Sequence, residues 1–434
     1  MIMHPHERAP RLARPASGLW TPTTRSTGNP SSAPIDRREF LRRSALAAIA
    51  LPSAGAILAA CGDDEAPSVD GIELSRPDHP VTLPVNTETI ADGLSPEAGP
   101  LKIYNYQDYI NPALIAAFES EYGVTIEYTG FVDIDEGMAK MKSGEVDFDI
   151  FYPTIDRLAE LVARDLVQPL NLSYIPNLAN VWERLRSPFY DVGSQYTVPH
   201  TIWVDGIGWR SDKTETLPTD YDKPWDALWD SANSGKVWVL QDDRDTIALP
   251  LVRSGDLDVN TDDPDKIDFA LSELMRLVRE VNVKVGAESY VKVPEGKAPI
   301  HHTWSGDMLG ALAYLPDGVD AGLLGFWRPA DNNLIVGNDA IAIPAASKNP
   351  VLAHLWLDYV LDLDNSLLNQ SYIGYQAPLT AIDPDRLVAD ELVPANLASA
   401  IVREADFDIG VQLMQLTPKT EKLWDTAWAS FLGG

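Results

Sequence analysis

Cysteine is almost absent: one stands among 434 residues, at position 61. A single thiol excludes any internal disulfide, so stability outside the cytoplasm has to come from packing. Basic residues are scarce, 34 Lys and Arg against 64 Asp and Glu. Such a field repels nucleic acid and anionic membrane surfaces, and it favours cationic ligands. Long apolar runs are missing too. Only Ala45–Ala60 is sizeable, and no other stretch approaches the ~20 residues needed to span a bilayer. Gly-x-Ser-x-Gly elbows and phosphate-binding loops do not occur, which argues against an exported hydrolase or a nucleotide enzyme. No cofactor motif is present. Neighbouring aspartates at 242, 243 and 245 lack His or Glu at ligand spacing, so no metal is expected. The adjacent pair His301-His302 points to opposite faces of a strand and is expected to be structural.

What is present begins with an export signal. Residues 1–60 hold eight Arg and three acids, leaving 26 basic and 61 acidic residues beyond them. Arg37 and Arg38, followed by Glu39-Phe40-Leu41, resemble a twin-arginine signal, which carries folded proteins outward. The apolar run ends Leu58-Ala59-Ala60-Cys61-Gly62 and resembles a lipobox, in which Cys61 becomes the lipid-bearing N-terminus. Residues 1–60 are therefore expected to be a removable signal peptide. The Pro-, Ser- and acid-rich 61–99 is expected to be a flexible tether with a typical reach of ~35 Å.

Order is expected from Leu101. Leu101–Tyr106 alternates as a strand, Asn111-Pro112 opens a helix over 113–122, and Val124–Tyr128 forms a second strand. A helix around 138–142, a strand over 148–152 and a helix over 156–164 follow. Further strands are expected at 237–240, up to Trp304, and at 341–343, with helices over 265–281 and 351–361. Alternation of this kind predicts a parallel-rich α/β structure, and the length suits two lobes.

Several ordered segments carry a family resemblance: Tyr104–Ile110, Phe148–Thr154, Tyr196–Pro199 with Gly206–Gly208, Trp225–Trp229, Asp242–Asp245, Trp304–Asp307, Asp339–Pro344 and Ile373–Tyr375. Together they resemble the periplasmic spermidine/putrescine-binding proteins of ABC transporters. The resemblance implies a two-lobe periplasmic-binding-protein fold (type II-like) with two hinge crossings. Carried over, one lobe spans 100–208 plus 338–383 and the other 209–337 plus 384–434. It implies an extracytoplasmic, membrane-anchored protein that passes a small cationic ligand to permease and ATPase subunits and performs no chemistry. The same fold could serve another small solute, such as an amino-acid derivative, a sugar or a metal complex.

The resemblance also implies site residues. Tyr106, with Gln107 and Tyr109, supplies an aromatic wall at a strand end, where ligands sit in this topology. Thr154 falls on a family Ser, and Asp156 replaces a family Tyr, where it could contact ligand or cap the helix that follows. Asp242 and Asp245 fall on the acidic pair for one ammonium group, Trp304 on a stacking tryptophan, Asp339 on an amine-binding aspartate, and Tyr375 on a further wall. One departure stands out. A second family tryptophan, two residues before the aspartate, is Gly337 here. Trp203, Asp205 and Asp307 lie near the matched segments.

Overall fold

The computed structural model describes residues 66–144 and 147–434. Arg37, Arg38 and Cys61, and with them the signal and lipid attachment, lie outside the described residues.

Eleven strands are described. β1 (Ser68–Val69) and β2 (Ile72–Glu73) form a small hairpin. The remainder belong to one mixed sheet: β3 (Leu101–Tyr106), β4 (Ile126–Phe131), β5 (Ile150–Phe151), β6 (Thr197–Arg210), β7 (Val237–Leu240), β8 (Lys284–Gly286), β9 (Ile300–Trp304), β10 (Leu324–Trp327) and β11 (Val336–Ala342). Their order is β4-β3-β5-β11-β6-β9-β7-β8, with β10 also on β6.

β6 joins the two halves. Residues 197–204 of it pair with β11, and residues 205–210 pair with β9 and β10. The partner changes between Val204 and Asp205, four residues before the crossing expected at 208. Asp205 N–H donates to Ile335 O at 3.0 Å, so the outgoing and returning chains run side by side at the switch.

Local chemistry explains the helices. Asn111 Oδ1 accepts from Ala113 N–H at 2.9 Å and Pro112 starts the helix Pro112–Tyr122, which stops at Gly123 with φ 68°. Asp242 caps the helix Asp243–Ser254, accepting from Asp245 N–H at 3.0 Å. Asp156 is not a cap. The first turn there is the short 3-10 turn Ile155–Arg157, begun by Thr154, before the helix Leu158–Ala163.

Three apolar clusters are described, a smaller one around Phe131, Phe151 and Leu161 and two larger ones. One gathers Phe118, Tyr152 and Trp356 with Leu101 and Ile341; the other gathers Trp424, Phe431, Trp225 and Leu274. Met308, in the short helix Ser305–Gly310 after β9, and Phe326, on β10, pack into the first core and tie the halves together.

The tether expectation is corrected for residues 66–99, which lie along the body as a strap. Leu74 and Leu83 are buried among body residues. Tyr196 Oη donates to Pro84 O at 2.6 Å, and Asn171 Nδ2 to Ile90 O at 2.9 Å. Glu97 accepts from Leu352 N–H at 2.9 Å, serving the open N-terminus of the helix Pro350–Val360. The partners of Leu94 and Glu97 lie 80 and 255 residues away, at Tyr174 and Leu352, so no local period announces the strap.

Candidate ligand site

A cavity of about 40 Å³ opens where the two halves of the sheet meet, bounded by Thr154 and Asp156, Trp203 and Asp339, and Asp242 and Asp245. A water-sized group needs ~10–15 Å³ on this scale. The cavity therefore holds about three such groups, and a longer chain requires the halves to part.

Asp339, on β11, lies on the first half of the sheet. Its carboxylate accepts from Tyr109 Oη at 2.6 Å, Thr201 Oγ1 at 3.1 Å and Trp203 Nε1 at 3.3 Å. Burial raises its pKa, and these three donors pull it back. Tyr109 meets Tyr106 edge-on at 5.7 Å and Tyr375 at 5.2 Å, so the three rings form one wall. Tyr375 is tied down by its hydroxyl, which donates to Asp307 Oδ1 at 2.7 Å. Its ring lies where a Cβ on Gly306 would stand, at 2.2 Å, so only glycine fits there.

Gly337 is explained by its cross-strand neighbour. It pairs with Trp203, and a Cβ built on it would meet the Trp203 ring at 2.4 Å. The Trp203 indole of β6 thus fills the space beside Gly337 on β11. Trp203 stands 6.2 Å from Trp304 at 59°.

The second half carries bare acids. Asp242 and Asp245 begin the helix Asp243–Ser254, and Trp304 Nε1 donates to Asp245 Oδ1 at 3.3 Å. Asp205 is fully buried, and burial pushes its carboxyl well above the usual range. Burial, then the charge of Asp245 on Asp242 and of Asp205 on Asp245, pushes both well above the usual carboxylate range. Asp243 is pushed to about 7 by burial and by Asp242.

Tyr106, Tyr109, Trp304 and Tyr375 do not themselves border the cavity, and Gln107 and Asp156 depart from the expectation in other ways. Gln107 is exposed and lies over Gly130, outside the cavity wall. Asp156 lines the cavity but is ion-paired, 3.6 Å from Arg157 and 3.7 Å from Arg244. Arg157 also pairs with Glu421 and Asp135, and Arg244 lies 4.8 Å over the Trp424 ring. These ion pairs join the two halves of the sheet. Thr154 lines the cavity, bridging to Asp339 along the backbone, and its Oγ1 is buried without a partner.

The model of the bacterial extracellular solute-binding protein family matches residues 113–395. The chain belongs to this family. Among curated relatives of this solute-binding protein, the putrescine-binding periplasmic protein PotF of Escherichia coli K12 is 25% identical over 355 residues. That match covers 79% of this chain and 93% of the relative. The putrescine/cadaverine-binding protein of Pseudomonas aeruginosa is 25% identical over 289 residues, covering 65% and 80%. A solved structure titled a putative spermidine/putrescine ABC transporter from Listeria monocytogenes superposes with a TM-score of 0.65 at 23% identity, covering 76% and 98%. The two-lobe periplasmic-binding-protein fold is thereby established.

Sequence reasoning passed over three residues of this solute-binding protein's site. Arg157 was not singled out, and Arg244 read as a partner of Asp243 in a local salt-bridge network rather than as a wall of the cavity. Thr201 lies between the matched segments. Its position two residues before Trp203 on a strand, hence on the same face, was the available clue.

Proposed function

We propose that this protein captures an organic cation with spaced ammonium groups, putrescine or spermidine, between its lobes and hands it to an ABC permease with ATPase subunits. The observation that carries the reading is that Asp242 and Asp245 line the same cavity as Asp339 and the Trp203 indole, while Tyr109, in contact with Tyr106, holds the Asp339 carboxylate. Carboxylates for the ammonium ends and rings for the methylene stem are what a linear polyamine requires. The binding act is a hinge closure at the Val204/Asp205 switch, and Arg157–Glu421 and Arg244–Asp156 help hold the closed form. The protein works outside the cytoplasm, exported by the twin-arginine signal and anchored through lipid on Cys61. The membrane is touched only there. It binds without transforming its ligand.

One observation favours a second reading. Arg157 and Arg244 line the cavity as well, and they would suit a ligand with a carboxylate at one end. A structural neighbour titled a GABA receptor has TM-score 0.54 and 18% identity. Calorimetry with putrescine, spermidine, 4-aminobutyrate and glucose tests both. Polyamine binding is expected at micromolar Kd, near about −8 kcal/mol. Binding of 4-aminobutyrate alone would replace the first reading by the second.

A further inference from the structure

The strap of residues 66–99 is anchored in the first half of the sheet. Ile72 and Leu83 pack with Phe131, Phe151, Leu158 and Tyr190, and Asp70 pairs with Arg164 at 3.0 Å. One strap side chain reaches the other half. Arg76 Nη2 donates to Gln415 O at 3.1 Å, and the neighbouring Leu413 and Leu416 belong to the core of Trp424 and Phe431. Arg76 is presented from a closed turn. Its backbone N–H and C=O each bond His79 at 3.0 Å, and its Nη1 donates to Ser75 O at 2.8 Å.

The stretch that ends at Gln415 is also held from within. Arg244 Nη1 donates to Met414 O at 3.1 Å, while Asn260 donates to Gln412 O at 2.8 Å and accepts from Met414 N–H at 2.7 Å. Leu413 and Arg244 both line the ligand cavity, and Arg244 sits in the first turn of the helix that Asp242 caps. Beside the tie, Ser75 and Leu83 of the strap border a second cavity of about 20 Å³ together with Met414 and Gln415. That void gives the stretch room to shift if the tie is cut. A buried guanidinium that loses an acceptor seeks a carboxylate, because unpaired buried charge is costly. The carboxylates assigned to an ammonium group, Asp242 and Asp245, lie in the same helical turn as Arg244.

We propose that Arg76 is a positioning residue of the ligand site, contributed by the strap. By holding Gln415 O it fixes the Gln412–Gln415 wall and, through Met414 O, keeps Arg244 off the carboxylates that receive the ammonium group. The inference deepens the organic-cation reading and rests on it for the ligand. Both ends of the Arg76–Gln415 contact lie outside residues 113–395, the span that matches the family model.

The full chain is compared with Arg76→Gln, Arg76→Lys and Asp70→Asn, the last of which loosens the strap on its own half only. Each is titrated with putrescine, and hydrogen exchange of the 411–416 amides is followed without ligand. Arg76→Gln is expected to weaken putrescine by about threefold to tenfold, a part of what a hydrogen bond from a charged donor contributes. It should also speed exchange over 411–416 by about tenfold, as local opening becomes easier. Arg76→Lys keeps a charged donor on a long stem and should recover most of both effects. Asp70→Asn, at a partly exposed ion pair, should leave both within about twofold of the parent. Unchanged putrescine affinity in Arg76→Gln overturns the proposal, and so does equal weakening in Asp70→Asn, which would make the strap a general stabiliser. If putrescine binds none of the chains, the organic-cation reading falls, while the exchange rates still decide whether Arg76 holds the Gln412–Gln415 wall, and unchanged rates overturn it.

Discussion

Asp339 and Asp245 are both buried aspartates beside a tryptophan, and they differ in what surrounds them. Asp339 accepts from a tyrosine, a threonine and a tryptophan, three neutral donors that stabilise its charge without a ligand. Asp245 receives one side-chain N–H, from Trp304, and otherwise meets Asp242 and Asp205. Buried charge is costly unless it is paired and hydrogen-bonded. The second half of the sheet is thus the end that gains most from an incoming cation, and the first half is a preformed wall with a solvated-like acid.

The largest expected effect tests that ranking directly. Asp245→Asn removes a charge-assisted contact of ~1.5–3 kcal/mol, so putrescine Kd should rise about tenfold to 150-fold. Asp339→Asn should cost less, about tenfold or below, because its neutral donors remain in place. Calorimetry showing the reverse order would break the comparison.

Next comes the Trp203–Gly337 arrangement. Gly337→Trp alone places atoms inside the Trp203 ring and should destabilise the fold by ~1–3 kcal/mol, read from the urea midpoint. Trp203→Gly with Gly337→Trp should recover most of that loss, a non-additivity expected of residues in contact. Recovery would show that one wall is built from either strand.

A pH series sharpens the contrast further. Asp243 has its pKa raised from 3.8 to about 7, so its stabilising contribution is full below 3.8 and is lost as pH rises through 7. Asp205, Asp242 and Asp245 are displaced in the same direction. His200, His301 and His302 oppose this below 6.5: lowered to about 3, they favour the folded chain above 6.5 and lose that effect as pH falls toward 3. Above 6.5 only the carboxyl effect remains. Thermal melts of the unliganded protein should therefore decline from pH 6.5 to 8, and stabilisation by putrescine should grow over the same interval. A flat profile would mean the acids are ionised already.

The smallest effect concerns the wall's own donor. Trp203→Phe keeps a ring and removes the N–H given to Asp339, which should weaken putrescine only a few-fold, ~0.5–1.5 kcal/mol. A larger loss would mean that Asp339 depends on its donors more than on its charge.

Much of this was legible beforehand, and the exceptions have a common cause. Helix and strand positions from 101 onward followed from period and caps, as at Asn111-Pro112 and Gly123, because those signals act within a few residues. The helix anticipated over 156–164 broke into a 3-10 turn and a short helix, since Asp156 pairs with Arg157 and Arg244 instead of capping. Gln107 was placed in the site by its neighbours, yet it falls in the turn after β3 and is exposed.

The sequence by itself determined the alternating α/β order, the acidic field and the residue types of the site, because composition and short-range spacing are local properties. The tertiary structure decided that the Trp203 indole fills the space beside Gly337, and that residues 66–99 are a packed strap. Each of these depends on contacts between chain segments far apart in sequence, where burial and the exclusion of water set the strength of a charge.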